Sequence, residues 1–419
     1  RKLKTMSRWI DHTIWWHVYP LGFAGAPIRP TPEERALSPR LDRLLPWLDY
    51  LIELGANGLA LGPIFQSESH GYDTLDFYRI DSRLGDDATF DHLARACQER
   101  GIHLMLDGVF NHVGVGHPRF QAALAGNDPA AEAMFRIHRT EAGVRYDDFE
   151  GHQALPALNH DAPAVVDRVV DVMCHWLRRG ASAWRLDAAY AVKPEFWAQV
   201  LPRVRAEFPD TWIVGEVIHG DYPDIVRRSG MDSVTQYELW KAAWSAPLEG
   251  NFFELDWCLK RHNDFLASFV PMTFIGNHDV TRIASRIGND KATLAATILF
   301  TVGGIPSIYY GDEQAFQGIK TDREGGDDEV RPAFPDTPAA LSPLGEPMRR
   351  IHHALIGLRR RNPWLVNATT TPIQVENRTY VYDVNGREGQ RLRVALRLDP
   401  SPMADIHAAD GTHLLHVGA

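Results

Sequence analysis

The sequence predicts an α/β fold: an eight-stranded (β/α)8 TIM barrel with an inserted subdomain after its third strand and a small C-terminal β domain. Three observations predict it. Short apolar runs alternate with amphipathic helical stretches through most of the chain, as parallel strands joined by crossover helices do. Four of those runs end in acid, amide or imidazole: Asp107-Gly-Val-Phe-Asn-His112, Arg185-Leu-Asp187, Ile213-Val-Gly-Glu216 and Phe274-Ile-Gly-Asn-His-Asp279. Polar groups released at the C-terminal ends of several strands are how such a barrel assembles a functional site. Beyond Asn362-Pro363 the pattern changes to short alternating strands with turns.

Residues 13–19 are β-branched and aromatic and stop at Pro20, which gives the first strand. Pro27, Pro30 and Pro32 mark an extended loop. Ser38-Pro39 offers a serine cap with proline in the first turn, and Leu41, Leu44, Leu45, Leu48, Leu51 and Ile52 keep helical spacing to Gly55, with Pro46 as a restart or kink. Residues 58–61 form the second strand, 63–74 its long polar loop, 89–100 the second helix and 102–106 the third strand. The rhythm breaks over 113–161, too long for a simple connection, so an inserted subdomain is expected there. Alternation resumes with a helix over 164–179, strand four at 183–186, a helix over 194–208 and strand five at 212–214. A weaker sixth strand falls at 231–236, the seventh at 272–275 and the eighth from Ile305, followed by a last helix over 347–361. The expected domains are thus 1–112 and 162–361 for the two parts of the barrel, 113–161 for the insertion and 362–419 for the β domain.

Composition narrows the function classes. A chain of 419 residues, 44% hydrophobic and 23% charged, has the make-up of a globular enzyme. The net charge of −10 is dispersed, so neither nucleic acid nor an anionic membrane is an expected partner. Cys97, Cys174 and Cys258 match neither a zinc spacing nor a disulfide framework and read as buried thiols. No apolar run reaches 18 residues, and no signal-peptide core follows the basic N-terminus, so a cytoplasmic location is expected.

Side chains two apart on a strand share a side, so Arg185 and Asp187 project together from the end of strand four. One such block alone reads more simply as a structural ion pair or a helix cap. Four in succession do not. In this order and spacing they resemble the conserved regions of the α-amylase family of glycoside hydrolases (family 13), a likeness running from His70-Gly-Tyr-Asp to Tyr310-Gly-Asp-Glu313 and on into the β domain.

That resemblance implies a catalytic set: Asp187 as nucleophile, Glu216 as general acid/base and Asp279 as the acid that stabilises the transition state. Arg185, His112 and His278 would surround the sugar at the cleavage point, Tyr72 would stack on it, and Asn277 and Asp107 belong to the same blocks. The chemistry agrees. Retaining hydrolysis needs one carboxylate to attack the anomeric carbon and a second to protonate the leaving oxygen. Arg185 should keep the nucleophile ionised, neighbouring acids should raise the pKa of Glu216, and the histidines can donate to sugar hydroxyls.

Departures from the family pattern refine the expectation. Calcium-dependent members resemble this chain at Asn111, but place an aspartate where it has Ala157 and a Lys-His pair where it has Tyr190-Ala191. Calcium wants six to eight oxygen ligands, so neither this metal nor any other cofactor is expected. Trp184-Arg-Leu-Asp, Gly215-Glu-Val-Ile-His219 and Asp327-x-x-x-Arg331 are similar to the neopullulanase and cyclomaltodextrinase group. There the acid–arginine pair binds the glucose one subsite beyond the cleavage point, and His219 would line the leaving-group side. The plainer readings are a solvated ion pair and a surface histidine. That group's N-terminal β domain is not expected, since the barrel begins near Thr13, so the oligomeric state stays open.

The expected activity is retaining hydrolysis of α-1,4 bonds, or of α-1,6 bonds, in short linear or cyclic maltooligosaccharides. Transglycosylation at the same site is the alternative within the enzyme class. A non-catalytic binding subunit is disfavoured by the three retained carboxylates.

Overall fold

The computed structural model describes residues 8–418; the first seven residues of the segment assigned to the barrel's first part, and Ala419, lie outside them. Eight parallel strands form the central sheet: β1 (Trp15–Val18), β2 (Gly58–Leu61), β3 (His103–Gly108), β4 (Ala183–Leu186), β5 (Trp212–Gly215), β6 (Ser233–Val234), β7 (Met272–Phe274) and β8 (Ile305–Tyr309). Their order is β6-β5-β4-β3-β2-β1-β8-β7. A bridge between Thr235 and Met272, with the Gln236 N–H donating to the Met272 carbonyl at 2.9 Å, joins the two ends into a barrel. Strands covered by helices outside and packed inside are apolar on both faces, and β1, β2, β4 and β5 are buried at every position.

The barrel's interior is filled from below. Trp15, Ala60, Met105, Ala183, Trp212, Val214, Met272 and Ile305 form one apolar cluster, with the Trp15 and Trp212 rings stacked at 6.1 Å. Gly58 is required there, because a Cβ would meet the Trp15 indole at 2.4 Å. Above this floor, charged side chains gather at the upper rim. The register then pairs Arg185 with Asp107 across β4 and β3, side by side at that rim.

Three local expectations are corrected. The segment before Gly55 is not one α-helix capped by Ser38: a 3-10 stretch (Arg40–Trp47) follows Pro39 without a side-chain cap, and the α-helix is Leu48–Leu54. Pro46 explains this, since its ring and missing N–H oppose an α-helical turn across it. The polar loop after β2 holds an antiparallel hairpin, Phe65–Ser67 with Thr74–Ile80, fastened by the buried Asp81–Arg83 pair at 2.8 Å. Between β6 and β7 lie two helices, Tyr237–Glu249 and Phe252–Leu266, where the sequence reading had none.

Within residues 113–161 stand two short helices and two hairpins, Ile137–Thr140 with Gly143–Tyr146 and Asp148–Phe149 with His152–Pro156. The C-terminal sheet is an antiparallel meander of β9 (Thr369–Val375), β10 (Thr379–Asn385), β11 (Arg391–Arg397), β12 (Met403–Ala408) and β13 (His413–Gly418). It is tied to the barrel's helices by Tyr380, which donates to Asp256 at 3.0 Å, and by Tyr382, 2.6 Å from Thr301 Oγ1. Among the described residues no helix is long and apolar enough to cross a membrane. The three cysteines are buried and unpaired.

Candidate active site

Arg185, buried at the end of β4, is the hub of the rim. Its Nη1 donates to Asp107 Oδ1 at 2.7 Å and to Asp187 Oδ1 at 3.2 Å, and its Nη2 lies 3.1 Å from Glu216 Oε2. Three carboxylates from three strand ends thus converge on one guanidinium. The chain turns sharply after Asp187: Ala188 is left-handed (φ 47°, ψ 37°), which is costly for a residue with a Cβ. That turn aims the Ala188 N–H at Glu216 Oε2, 2.7 Å away.

Burial, then the charge of Glu216, pushes Asp187 well above the usual carboxylate range, against the pull of Arg185. Burial also raises Glu216, with Arg185 again opposing. Arg185, which the sequence predicts to hold Asp187 ionised, opposes that carboxylate's rise while shared among three buried acids. Two carboxylates on one guanidinium titrate as a pair, and retaining chemistry uses the form with the proton on Glu216 and Asp187 ionised.

Asp279 stands apart, the most open of the three assigned carboxylates, with its side chain 32% exposed. Arg331 Nη2 donates to its Oδ1 at 2.9 Å, His278 Nε2 lies 3.2 Å from its Oδ2, and its own N–H donates to Asn277 Oδ1 at 2.9 Å. Burial alone would raise its pKa, but His278, Arg331 and Arg185 together hold it below the ordinary range. Asn277 in turn donates to the Tyr237 hydroxyl at 2.9 Å.

Tyr72 donates its hydroxyl to Asp107 at 2.9 Å, lies 2.5 Å from His278 Nε2 and stacks on that imidazole at 5.4 Å. His112 is not free to donate to a sugar. Its Nε2–H is given to the Tyr72 carbonyl at 2.9 Å, its Nδ1 accepts from Asn111 at 3.0 Å, and burial lowers its pKa to about 4. It is a neutral strut that fixes Tyr72. Burial lowers the pKa of His278 as well, and its Nδ1 has no partner.

Asp327 and Arg331, expected from sequence to bind a neighbouring glucose, form a loose ion pair. Their nearest atoms are 3.6 Å apart, and Asp327 is shared with Lys320 at 3.6 Å. Arg331 instead donates to the His278 carbonyl at 2.9 Å and to Asp279, with its guanidinium 4.7 Å over the Tyr19 ring. His219 is exposed at the rim, its ring 6.1 Å from that of Tyr190.

Other contributors were not singled out from sequence. His17 is buried edge-on to His278 at 5.2 Å, and burial lowers its pKa to about 3. Phe149, on the second hairpin of segment 113–161, stacks on His112 at 4.7 Å. Glu150 beside it accepts from the Tyr190 hydroxyl at 2.7 Å, bringing that hairpin over the loop after β4. Tyr190 was the available signal, since it replaces a basic residue of the family pattern.

At the positions compared with calcium-dependent members, the Asn111 amide nitrogen donates to His112 and Ala157 sits in a backbone bridge with His112. Among the described residues, no group of three or more His, Cys, Asp or Glu is arranged to hold a metal ion.

Comparison with known proteins agrees with this geometry. The model of the α-amylase catalytic domain matches residues 41–379. A cyclomaltodextrinase from Geobacillus thermopakistaniensis is 33% identical over 77% of this chain and 58% of its own length. An intracellular maltogenic amylase from Bacillus subtilis is 31% identical over 74% of this chain and 56% of its own. The chain therefore spans somewhat more than half the length of these relatives. Among solved structures, a cyclic α-maltosyl-(1→6)-maltose hydrolase from Arthrobacter globiformis shares the fold at a TM-score of 0.80, with 24% identity, covering 93% of this chain and 91% of its own.

Proposed function

The chain belongs to the α-amylase family of glycoside hydrolases, and from that premise we propose that it cleaves α-1,4-glucosidic bonds of short linear or cyclic maltooligosaccharides with retention of configuration. The observation that carries the proposal is the Arg185 guanidinium, gathering Asp107, Asp187 and Glu216 in one buried group.

In this reading Asp187 attacks the anomeric carbon while Glu216 gives its proton to the departing glycosidic oxygen. The products are a glycosyl ester on Asp187 and a free sugar hydroxyl. Glu216, now ionised, then takes a proton from water, whose oxygen attacks the same carbon and releases Asp187. Asp279, held ionised by Arg331 and His278, faces the positive charge that develops on the ring. Tyr72, fixed by His112 and Asp107, supplies an aromatic face to the sugar.

Short substrates are favoured because the hairpin after β2, the second hairpin of segment 113–161 and the segment that bears Arg331 all converge on the rim. The names of the two curated relatives, cyclomaltodextrinase and intracellular maltogenic amylase, support the substrate class and a cytoplasmic location. The test compares kcat/KM for maltotriose to maltohexaose and small cyclic dextrins with that for soluble starch, following product anomers by proton NMR. The α-anomer should form first, and the oligosaccharides should lead by at least roughly tenfold, about 1.4 kcal/mol of differential transition-state binding. Equal rates on starch, or β-anomers, would refute it.

A further inference from the structure

An aromatic groove opens beside the acid/base, between the two helices that follow β6. It encloses about 370 Å³ and is lined by Ile218, Tyr237, Trp240, Lys241, Glu254 and Trp257. That volume falls within the range of small-ligand clefts, roughly 300–1,000 Å³. Trp257 is 61% exposed and Ile218 40%. Exposed apolar side chains gathered in one concavity mark a binding surface. The hydrophobic core has no use for them.

We propose that this groove is a distal subsite on the leaving-group side, where the reducing-end glucoses of a longer maltooligosaccharide lie against Trp240 and Trp257; the proposal rests on the function argued above. Position supports it. Ile218 follows Glu216 by two residues on the loop after β5, and Glu216 in that reading faces the leaving sugar. Tyr237 is a wall shared with the catalytic rim: it lines this groove and also the small cavity of about 20 Å³ bordered by His17, Arg185 and His278.

Chemistry supports it too. A glucose ring offers an apolar face and a rim of hydroxyls, so its site needs flat aromatics beside fixed polar groups. Arg261 covers one side of the Trp257 indole at 5.1 Å, and Trp240 is braced edge-on by Tyr237 at 5.8 Å. Lys241 and Glu254, paired at 2.7 Å across the groove, offer a donor and an acceptor.

The test is the chain-length dependence of kcat/KM from maltotriose to maltohexaose, in the wild type, Trp257→Ala and Lys241→Ala, with light scattering on each. Maltohexaose should be the better substrate for the wild type, and Trp257→Ala should cut its advantage over maltotriose by about fivefold or more, the effect of truncating one aromatic anchor. Lys241→Ala should reduce the same ratio less. An unchanged ratio in both variants, or a wild type without the advantage, overturns the subsite and leaves the active-site reading standing. A wild type that self-associates and is dispersed by Trp257→Ala with the ratio intact assigns the patch to a second copy instead. A wild type that turns over none of these sugars fails both readings.

Discussion

Replacing Arg331 by alanine should disable hydrolysis of every substrate, whatever its length. The side chain is 9% exposed and gives two hydrogen bonds of 2.9 Å, one to the His278 carbonyl and one to Asp279 Oδ1. Hydrogen bonds to charged groups are worth about 1.5–3 kcal/mol, and two bonds are lost with this guanidinium. If most of that loss falls on the placement and ionisation of Asp279, kcat/KM drops roughly 10²- to 10³-fold. The pH profile should change in a defined direction. Asp279 is held below the ordinary range, so its contribution is present above the unfolded carboxylate value and fades as pH falls towards the lower folded one. Without Arg331 the Asp279 pKa rises, so the acid limb of kcat/KM moves to higher pH. The variant's loss of melting temperature should be largest near neutrality and shrink in acid. Initial rates on maltotriose and maltohexaose between pH 4 and 8, with melting curves on the same samples, measure all of this. A variant that keeps kcat/KM within about threefold, with an unmoved acid limb, would show that Arg331 does not govern Asp279. A loss confined to one chain length would return Arg331 to a substrate subsite.

Two further predictions follow from the same geometry. Ala188→Val should lower the melting temperature and activity well beyond Ala188→Gly, because a β-branched residue resists the left-handed turn that aims the Ala188 N–H at Glu216; equal effects would mean that the turn is unstrained. Prolonged chelation should leave melting temperature and maltotriose turnover nearly unchanged, since Ala157 and Ala191 stand where calcium-dependent members supply ligands; a large loss restored by calcium would show that other oxygens complete a site.

Much of the fold was legible because a parallel strand covered on both sides reads as an unbroken apolar run, as Gly58–Leu61 and Ala183–Leu186 do. The two helices after β6 were not, because exposed Phe253 and Trp257 lie on the second of them and blur its apolar face. The carboxylates stood out because each ends such a run. What the sequence hid was the wiring among distant segments. Arg331 is 52 residues from Asp279, and nothing local distinguishes a guanidinium bound for a sugar from one bound for a carboxylate. Asn111 and the Tyr72 carbonyl absorb both nitrogens of His112, and only the folded backbone reveals that. The left-handed turn at Ala188 carries no signature either, since glycine is the residue that advertises such a conformation.

The most direct test of the central claim, that Asp187 is the nucleophile of a retaining enzyme with Glu216 as its acid/base, uses Glu216→Gln and α-maltosyl fluoride. Fluoride leaves without a proton, so the first step needs only Asp187. The second lacks the base that activates water, so the covalent intermediate should accumulate. Mass spectrometry of a peptic digest should find one maltosyl unit, on the peptide carrying Asp187, and that adduct should be absent from Asp187→Asn. An adduct on Asp107 or Asp279, or turnover to β-maltose with no adduct, would contradict the account.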